Sequence, residues 1–409
     1  MSSKRNKVQG RLIWLAALLL PALGHSHDYP ARAGIELALD LAVSLRSSDQ
    51  LPERASDPAS TAPWQIPGLL MGGHASPYQR GAHLDELSLW LGWRGRHDSY
   101  GIIKLASHGG DGHGSQAELE NAYLGQIFGV SAQPWRIEAG RMTAAFSPVN
   151  HDHPANAQFS LAPLAYDAWL GRHVVDDGLR LLLGDSEQGW SMGLEAYRGD
   201  SFPAGHGDGL YDAFVRHARR DFHWDWTVQI WGMRANAKAR GDGRLHAGHD
   251  HGLTGTLPVH FTGNTELAGL YGELGWTWGH QRRVALRAEW IDVEQAGELS
   301  DGSRLLDLEG SHHGMHIMPQ LQWGNHRLAL RYERLYLDNL LRGPAAEMLG
   351  NDAGLINNGH DPRRLALGWH WQYSPSLAWR VEWLRDDSMP ERRQLTTLGL
   401  VWREQRAFR

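Results

Sequence analysis

The chain has 409 residues, a net charge of −6 and no cysteine. This charge provides no basic field for nucleic acid, and the lack of cysteine excludes a disulfide framework. Apolar residues make up only 42% of the chain, yet it contains 48 glycines and 19 tryptophans. Such a composition is less typical of a soluble enzyme than of a membrane β-barrel, in which tryptophan concentrates at the two membrane interfaces.

The N-terminal segment has the features of an export signal. A basic stretch precedes the apolar run 12–20, which is too short to span a bilayer as a helix, and small residues follow up to Gly24. We predict a signal peptide over residues 1–24 and an exported mature chain over residues 25–409. No later stretch is apolar for long enough to predict a transmembrane helix.

Residues 35–45 give the clearest strand signal in the chain. Large apolar residues occupy every odd position from Ile35 to Leu45, and small or polar residues, including Glu36 and Asp40, occupy the even positions. A period of two predicts a strand with one apolar and one polar face. Its length suits a tilted strand that crosses a bilayer, which needs about 9–11 residues.

Similar segments recur along the rest of the chain and predict about sixteen strands. The predicted strands lie near residues 34–46, 84–95, 99–108, 117–128, 134–142, 178–184, 190–198, 210–219, 224–235, 267–279, 284–292, 312–323, 327–336, 364–373, 377–384 and 395–402. Short turns and long loops alternate between them, as in outer-membrane barrels with short periplasmic turns and long outer loops. We therefore predict an all-β fold, a transmembrane antiparallel barrel; the alternative is a large soluble sandwich or propeller.

Several motifs on successive predicted strands resemble the phosphate-selective porin superfamily of Gram-negative outer membranes. Members carry a similar acidic-x-x-Ala-Tyr, hydrophobic-x-x-Gly-Arg and Phe-Ser series, which here occupies residues 118–124, 135–142 and 146–148. Residues 150–154, 163–166 and 177–180 resemble a His-rich branch linked to zinc supply. The resemblance covers about residues 84–200 and implies a sixteen-stranded outer-membrane channel that is commonly a trimer.

The inward side chains depart from that family, whose lumen carries a ladder of basic residues. Lys104 is the sole lysine of the mature chain within a predicted strand. We predict a mixed lumen lined by Glu36, Asp40, Glu138 and Arg141, with Glu289, Glu382, Arg287, Arg331 and Arg380 also inward. A mixed lumen argues against strong anion selectivity. The terminal aromatic of the barrel is either Trp402 or Phe408.

Histidine is abundant, with 24 residues, and most of them fall in or at the edges of the long predicted loops. Neutral imidazole binds Zn, Cu and Ni, and aspartate adds an oxygen ligand. We predict metal binding at three clusters, namely His151-Asp152-His153, His246, His249, Asp250 and His251, and His312, His313 and His316. The alternative is that these histidines are neutral, hydrophilic loop residues. A fourth candidate is the new N-terminus, where His27 would stand third and could complete a square-planar Cu(II) or Ni(II) site.

The predicted loop over residues 143–177 differs from an ordinary outer loop. It contains aromatic residues, including Phe146, Phe159 and Trp169, as well as His173. We expect it to fold into the barrel and constrict the pore, with Arg141 and Asp152 near the narrowest point. The alternative is an external cap.

These features predict a passive outer-membrane channel for small solutes that favours divalent metal ions such as zinc, with Zn²⁺ as bound cargo and no required cofactor. The chain has no nucleophile elbow, phosphate loop or zinc-protease motif, so we predict no enzyme activity. An energy-coupled receptor is excluded because it needs about 22 strands and a plug domain. The main alternative is a non-conducting metal-binding or adhesin barrel. Expected partners are outer-membrane lipid, small ions and two further copies in a homotrimer.

Overall fold

The computed structural model describes residues 30, 33–50, 65–108, 116–129, 134–184, 187–241, 259–279 and 281–408. The strands in chain order are β1 (Gly34–Arg46), β2 (Gly81–Arg94), β3 (Ser99–His108), β4 (Gln116–Phe128), β5 (Trp135–Thr143), β6 (Val175–Gly184), β7 (Gly189–Tyr197), β8 (Leu210–Arg220), β9 (Trp224–Gly241), β10 (His260–Thr277), β11 (Arg282–Ser300), β12 (Leu305–Trp323), β13 (His326–Arg342), β14 (Arg363–Ser374), β15 (Leu377–Asp387) and β16 (Arg393–Phe408). Two short helices are α1 (Leu164–Trp169) and α2 (Ala346–Asp352).

The sixteen strands form one closed antiparallel barrel. Each strand pairs with its neighbours along the chain, and β1 closes the sheet by pairing with β16 as well as β2. The predicted fold is therefore confirmed. Both ends of the sheet, Gly34 and Phe408, lie at the end of the barrel where the short turns are, and β16 extends past Trp402 to Phe408.

The alternation of side chains gives the barrel an apolar outer face. In β2, Leu87, Leu89, Leu91 and Trp93 are between 37% and 46% exposed on the outside, whereas Trp90 is buried inside the barrel. Exposed apolar residues on successive strands form a band around the outside, as required for a barrel surrounded by lipid. The hydrophobic core lies inside the lumen, because the outer face has no second layer of protein.

Tryptophans mark the short-turn end of this apolar band. Six strands carry an exposed tryptophan at or next to the residue where they meet a short turn, namely Trp93, Trp135, Trp190, Trp224, Trp276 and Trp323. Trp224 and Trp276 stack with ring centroids 6.0 Å apart. An aromatic belt of this kind is the usual interface between a barrel and the lipid headgroups.

Strands β9 to β13 are longer than predicted, so several of the predicted loop boundaries are wrong. β11 runs to Ser300 and β12 begins at Leu305, so the long loop predicted over residues 293–311 shrinks to residues 301–304. The prediction stopped where apolar alternation stops. These strands continue beyond it because the backbone ladder persists, with polar residues such as Glu298 and Asp307 on the outer face and Leu299 and Leu306 buried inside.

Two remaining features concern helices and the N-terminus. In the described part of the chain, no helix combines the length and apolar character needed to cross a membrane. Helix α2 lies in the connection 343–362 and packs on β12 and β13. The predicted signal peptide, its cleavage site and His27 lie outside the described residues.

Candidate pore and the loop inside it

The connection between β5 and β6, residues 144–174, lies inside the barrel; we call it the inserted loop. Phe146, Leu164 and Tyr166 in this loop are fully buried, and Trp169 is only 4% exposed. Phe146 packs on Trp231 of the β9 wall with ring centroids 4.7 Å apart. The apolar residues that set this loop apart in the sequence thus contact the inner face of the barrel rather than forming an external cap.

Glutamates on the inner wall bind the backbone and side chains of the inserted loop. Glu195 of β7 accepts from Ala145 N at 2.7 Å, Glu86 of β2 from Ala155 N at 2.9 Å, and Glu382 of β15 from Ser160 N at 2.8 Å. Glu333 of β13 accepts from Leu164 N, and Glu289 of β11 accepts from Ser147 and Tyr166. A buried loop needs partners for its N–H and O–H groups, and these carboxylates provide them from five different strands.

Arginines on the same wall bind the loop carbonyls. Arg380 donates to Pro154 O at 2.8 Å, and Arg331 donates to Leu161 O at 3.0 Å. Each arginine also pairs with a glutamate two residues later on its own strand, at 2.8 Å in both cases. Residues two apart share one strand face, so an Arg-x-Glu pair neutralises its own charge while binding both donors and acceptors of the loop.

A cavity of about 720 Å³ remains at the short-turn end of the lumen, below the inserted loop. Eight arginines and five carboxylates line it, giving an excess of positive charge; they are Arg136, Arg180, Arg216, Arg219, Arg220, Arg283, Arg287, Arg327, Glu138, Asp152, Glu187, Asp225 and Glu273. We call this space the short-turn cavity. Three smaller cavities beside the loop measure about 20, 30 and 70 Å³.

Three of the predicted pore-lining residues face the lumen and one does not. Glu138 lies in the short-turn cavity and accepts from Arg180 at 2.5 Å, Asp40 pairs with Arg403 at 3.2 Å, and Glu36 lies on the same face as Asp40. Arg141 lies on the outer face of β5, 3.7 Å from Asp177. The prediction for Arg141 was wrong because positions three apart on a regular strand, such as 138 and 141, face opposite sides.

The His151-Asp152-His153 cluster reaches the lumen, but its side chains diverge. Asp152 pairs with Arg287 of the β11 wall at 2.7 Å, whereas His153 points to β3 and β4 on another wall. His151 borders both the short-turn cavity and the 70 Å³ cavity. The backbone at Asp152 is extended, and extended backbone turns successive side chains in opposite directions.

The other predicted clusters do not form a described site. His312, His313 and His316 lie within β12 and not in a loop: His312 and His316 are buried on the inner face, while His313 stacks on Trp290 outside at 5.0 Å. Positions four apart on a strand are roughly 13 Å apart, too far to share one ion. The cluster formed by His246, His249, Asp250 and His251 lies outside the described residues.

A different group of potential metal ligands meets where the inserted loop contacts β3 and β4. His108, Glu120 and His153 each place one ligand atom within 4.8 Å of the other two, and we call them the junction cluster. Burial lowers the pKa of His153 to about 3, so its imidazole is neutral. The sequence did not predict His108 and Glu120 as partners of His153, because only the path of the loop brings them together.

Comparison with known proteins supports the architecture. No model of a known protein family matches the sequence, and no curated protein matches it. Among solved structures, a loop-deletion form of OmpT, an outer-membrane protein of Vibrio cholerae, is 9% identical with a TM-score of 0.53, over 91% of this chain and 100% of that one. The chain has the fold of these outer-membrane proteins. OprB of Pseudomonas putida is 12% identical with a TM-score of 0.51, over 91% and 94% of the two chains.

Proposed function

We propose that this protein is an outer-membrane channel of a Gram-negative cell through which small ions diffuse passively. The observation that carries the proposal is the inserted loop, which crosses a lipid-facing barrel and is bound by charged side chains from the inner wall. A barrel of about sixteen strands encloses an aqueous channel. The apolar outer band and its tryptophan belt suit a membrane, and the barrel fold is shared with outer-membrane proteins.

The inserted loop is the proposed constriction. It separates the short-turn cavity from the outer end of the barrel, and the three small cavities described beside it measure about 20, 30 and 70 Å³. Cavities of this size hold a few water molecules or small ions rather than sugars or peptides. We infer that the inserted loop limits the solutes to this size class.

Two features of the lumen bear on ion selectivity. The predicted preference for divalent metal ions such as zinc is part of the proposal, and it is supported by the histidines and carboxylates around the inserted loop. The arginine excess of the short-turn cavity favours anions instead. Zero-current potentials in asymmetric KCl and ZnCl₂ solutions distinguish these two selectivities.

The second candidate is a non-conducting metal-binding or adhesin barrel. It is favoured by the same inserted loop, because the loop fills much of the lumen with buried apolar side chains. Its outer surface, fold and membrane location would be unchanged. Conductance is therefore the property that separates the two candidates.

The experiment is single-channel recording of the refolded protein in planar bilayers, with and without micromolar Zn²⁺ on the loop side. Discrete conductance steps are expected, and their ion preference follows from the zero-current potential. A folded barrel that inserts without conductance would contradict the channel and favour the non-conducting candidate. Circular dichroism of the inserted protein verifies that the barrel is folded in either case.

The proposal also includes an oligomeric state, the trimer, and a branch of the porin family. A structurally similar OmpT of Vibrio cholerae is described in a trimer form; it is 9% identical with a TM-score of 0.51, over 91% of this chain and 100% of that one. We extend the trimer to this protein, together with membership in the His-rich branch of the phosphate-selective porins that its motifs resemble. Light scattering in detergent tests the trimer directly.

A further inference from the structure

We propose that His108, Glu120 and His153 bind one divalent transition-metal ion of the zinc class, which fastens the inserted loop to the β3–β4 wall. This inference rests on the proposed function, because it identifies the part of the channel where a metal ion acts. It differs from the loop clusters predicted from the sequence, since it joins residues of two strands and one loop.

The positions of the ligand atoms fit such an ion closely. Glu120 Oε1 is 3.5 Å from His153 Nδ1 and 3.9 Å from His108 Nε2. Zinc–nitrogen and zinc–oxygen bonds of about 2.0–2.2 Å in a tetrahedron place ligand atoms roughly 3.3–3.5 Å apart. All three ligand atoms lie within 4.8 Å of one another, so side-chain rotations that draw the two histidines together would place them on one ion.

The hydrogen bond of His108 to the backbone leaves Nε2, the nitrogen nearer Glu120, available to bind a metal ion. Its Nδ1 is 3.3 Å from the carbonyl oxygen of Asp85, which accepts a hydrogen bond only if Nδ1 carries the proton. In the neutral ring, the form that binds a metal ion, Nε2 then has a lone pair on the side of Glu120. A ligand histidine whose other nitrogen donates to a backbone carbonyl is the usual arrangement at protein metal sites.

His153 provides the second, independent observation. The residue is 6% exposed, and its Nδ1 has no hydrogen-bond partner among the described residues. Nδ1 points at Glu120 and lies 4.0 Å from Glu86 Oε1. A buried polar atom without a partner is costly, and an ion bound between these groups removes that cost.

The surroundings of the junction cluster leave one oxygen of Glu120 free to bind the ion and one side of the ion open to a cavity. The Lys104 ammonium lies 2.5 Å from Glu120 Oε2, so Oε1 is the oxygen that faces the two histidines. The cavity of about 70 Å³ borders His153, Glu86 and Lys104 and has room for a water molecule. Three protein ligands with one open position form a site from which an ion can exchange.

The test uses the full-length mature protein, refolded in detergent without a histidine tag and titrated with Co²⁺ and Zn²⁺. We expect one tight equivalent, with the visible absorption bands of four-coordinate cobalt, which Zn²⁺ displaces. His153→Ala and His108→Gln should each raise Kd by at least about 100-fold, because even outer-shell partners contribute about 10–100-fold. His312→Gln is the matched control, a buried lumenal histidine outside the junction cluster.

A second control separates the junction cluster from the outer loop. Replacing His246, His249 and His251 together by glutamine should leave the tight equivalent in place. The inference would be overturned if the triple variant lost the tight metal equivalent, or if folded His153→Ala kept it. It would also be overturned if the wild-type protein bound no tight equivalent. Channel recordings on the same preparation keep the proposals distinct: conductance without metal binding defeats only this inference, and binding without conductance defeats only the channel.

Discussion

At the scale of single residues, Glu382 shows how the barrel holds its inserted loop. It accepts from both the N–H and the hydroxyl of Ser160, at 2.8 and 2.7 Å, and it pairs with the fully buried Arg380. Breaking a buried ion pair from one side costs about 3–5 kcal/mol, because the remaining charge stays buried. We expect Glu382→Gln to lower the free energy of unfolding in urea by about 3 kcal/mol.

The matched control for that change is Glu36→Gln. Glu36 also faces the lumen, but it lies near the barrel end, where its carboxylate is 3.4 Å from Gln405 and exposed to solvent. A change within about 0.5 kcal/mol is expected there. Equal effects of the two substitutions would show that Glu382 does not act through the buried contacts.

Lys104 gives a residue-scale prediction for the junction cluster. Its ammonium is 2.5 Å from Glu120 and 3.6 Å from Glu86. The positive charge of the ammonium therefore repels a metal ion bound by the same carboxylates. We expect Lys104→Met to tighten Zn²⁺ binding about tenfold, which corresponds to about 1.4 kcal/mol. Isothermal titration of the folded variant measures this change.

Arg403→Met serves as its control, because Arg403 borders the same 70 Å³ cavity but pairs with Asp40. Its effect on Zn²⁺ affinity should be smaller than that of Lys104→Met. If Lys104→Met weakens zinc binding instead, the lysine supports the position of Glu120, and the proposed competition between the two cations is wrong.

At the scale of elements, period two in the sequence predicts both the strands and the inward position of most charged residues. Glu289, Glu382, Arg287, Arg331 and Arg380 all lie on the inner face as predicted. The Arg-x-Glu spacing within them was a visible signal for loop binding, since both side chains share a face. Loop contacts could not be predicted this way, because a loop has no period that fixes its path.

The inserted loop itself carries the next prediction. Removing residues 153–163 and joining the ends with glycine takes away the segment that contacts Glu86, Glu382 and Arg331. We expect a several-fold rise in single-channel conductance, because the narrowest part of the lumen widens. Bilayer recordings of the refolded variant provide the measurement.

A deletion of equal length within residues 242–258 controls for the shortening of any outer loop. Conductance should then stay at the wild-type value, since the contacts of the inserted loop remain. A deletion of 153–163 that folds and leaves conductance unchanged would place the constriction elsewhere in the barrel.

At the scale of the whole molecule, barrel closure was predictable and the distribution of charge in the lumen was not. Strand number and alternating connections follow from local sequence, so the sixteen-stranded barrel could be inferred. The short-turn cavity collects arginines from five strands, whereas the sequence alone predicted only a mixed lumen. Which inward residues share one level of the barrel depends on the register of every strand pair. Period two fixes the face that each residue takes, but a shift by two residues keeps every face and changes the level.

The arginine excess of the short-turn cavity predicts a weak preference for chloride over potassium among monovalent ions, apart from the divalent-ion preference proposed for the inserted loop. Positive charge in a confined lumen raises the local anion concentration and lowers that of cations. In a KCl gradient, the zero-current potential should have the sign of chloride permeation. The double substitution Arg216→Gln and Arg327→Gln should shift it towards potassium, because two of the eight lining arginines lose their charge.

The control for this shift is the pair Arg234→Gln and Arg342→Gln. Both arginines are exposed outside the short-turn cavity, where they pair with Glu266 and Glu309. The same total charge is removed from the chain, yet charges screened by solvent at a distance from the lumen have little effect on permeation. An equal shift in both double variants would mean that overall charge sets the selectivity. A shift confined to Arg216 and Arg327 would locate the selectivity in the short-turn cavity.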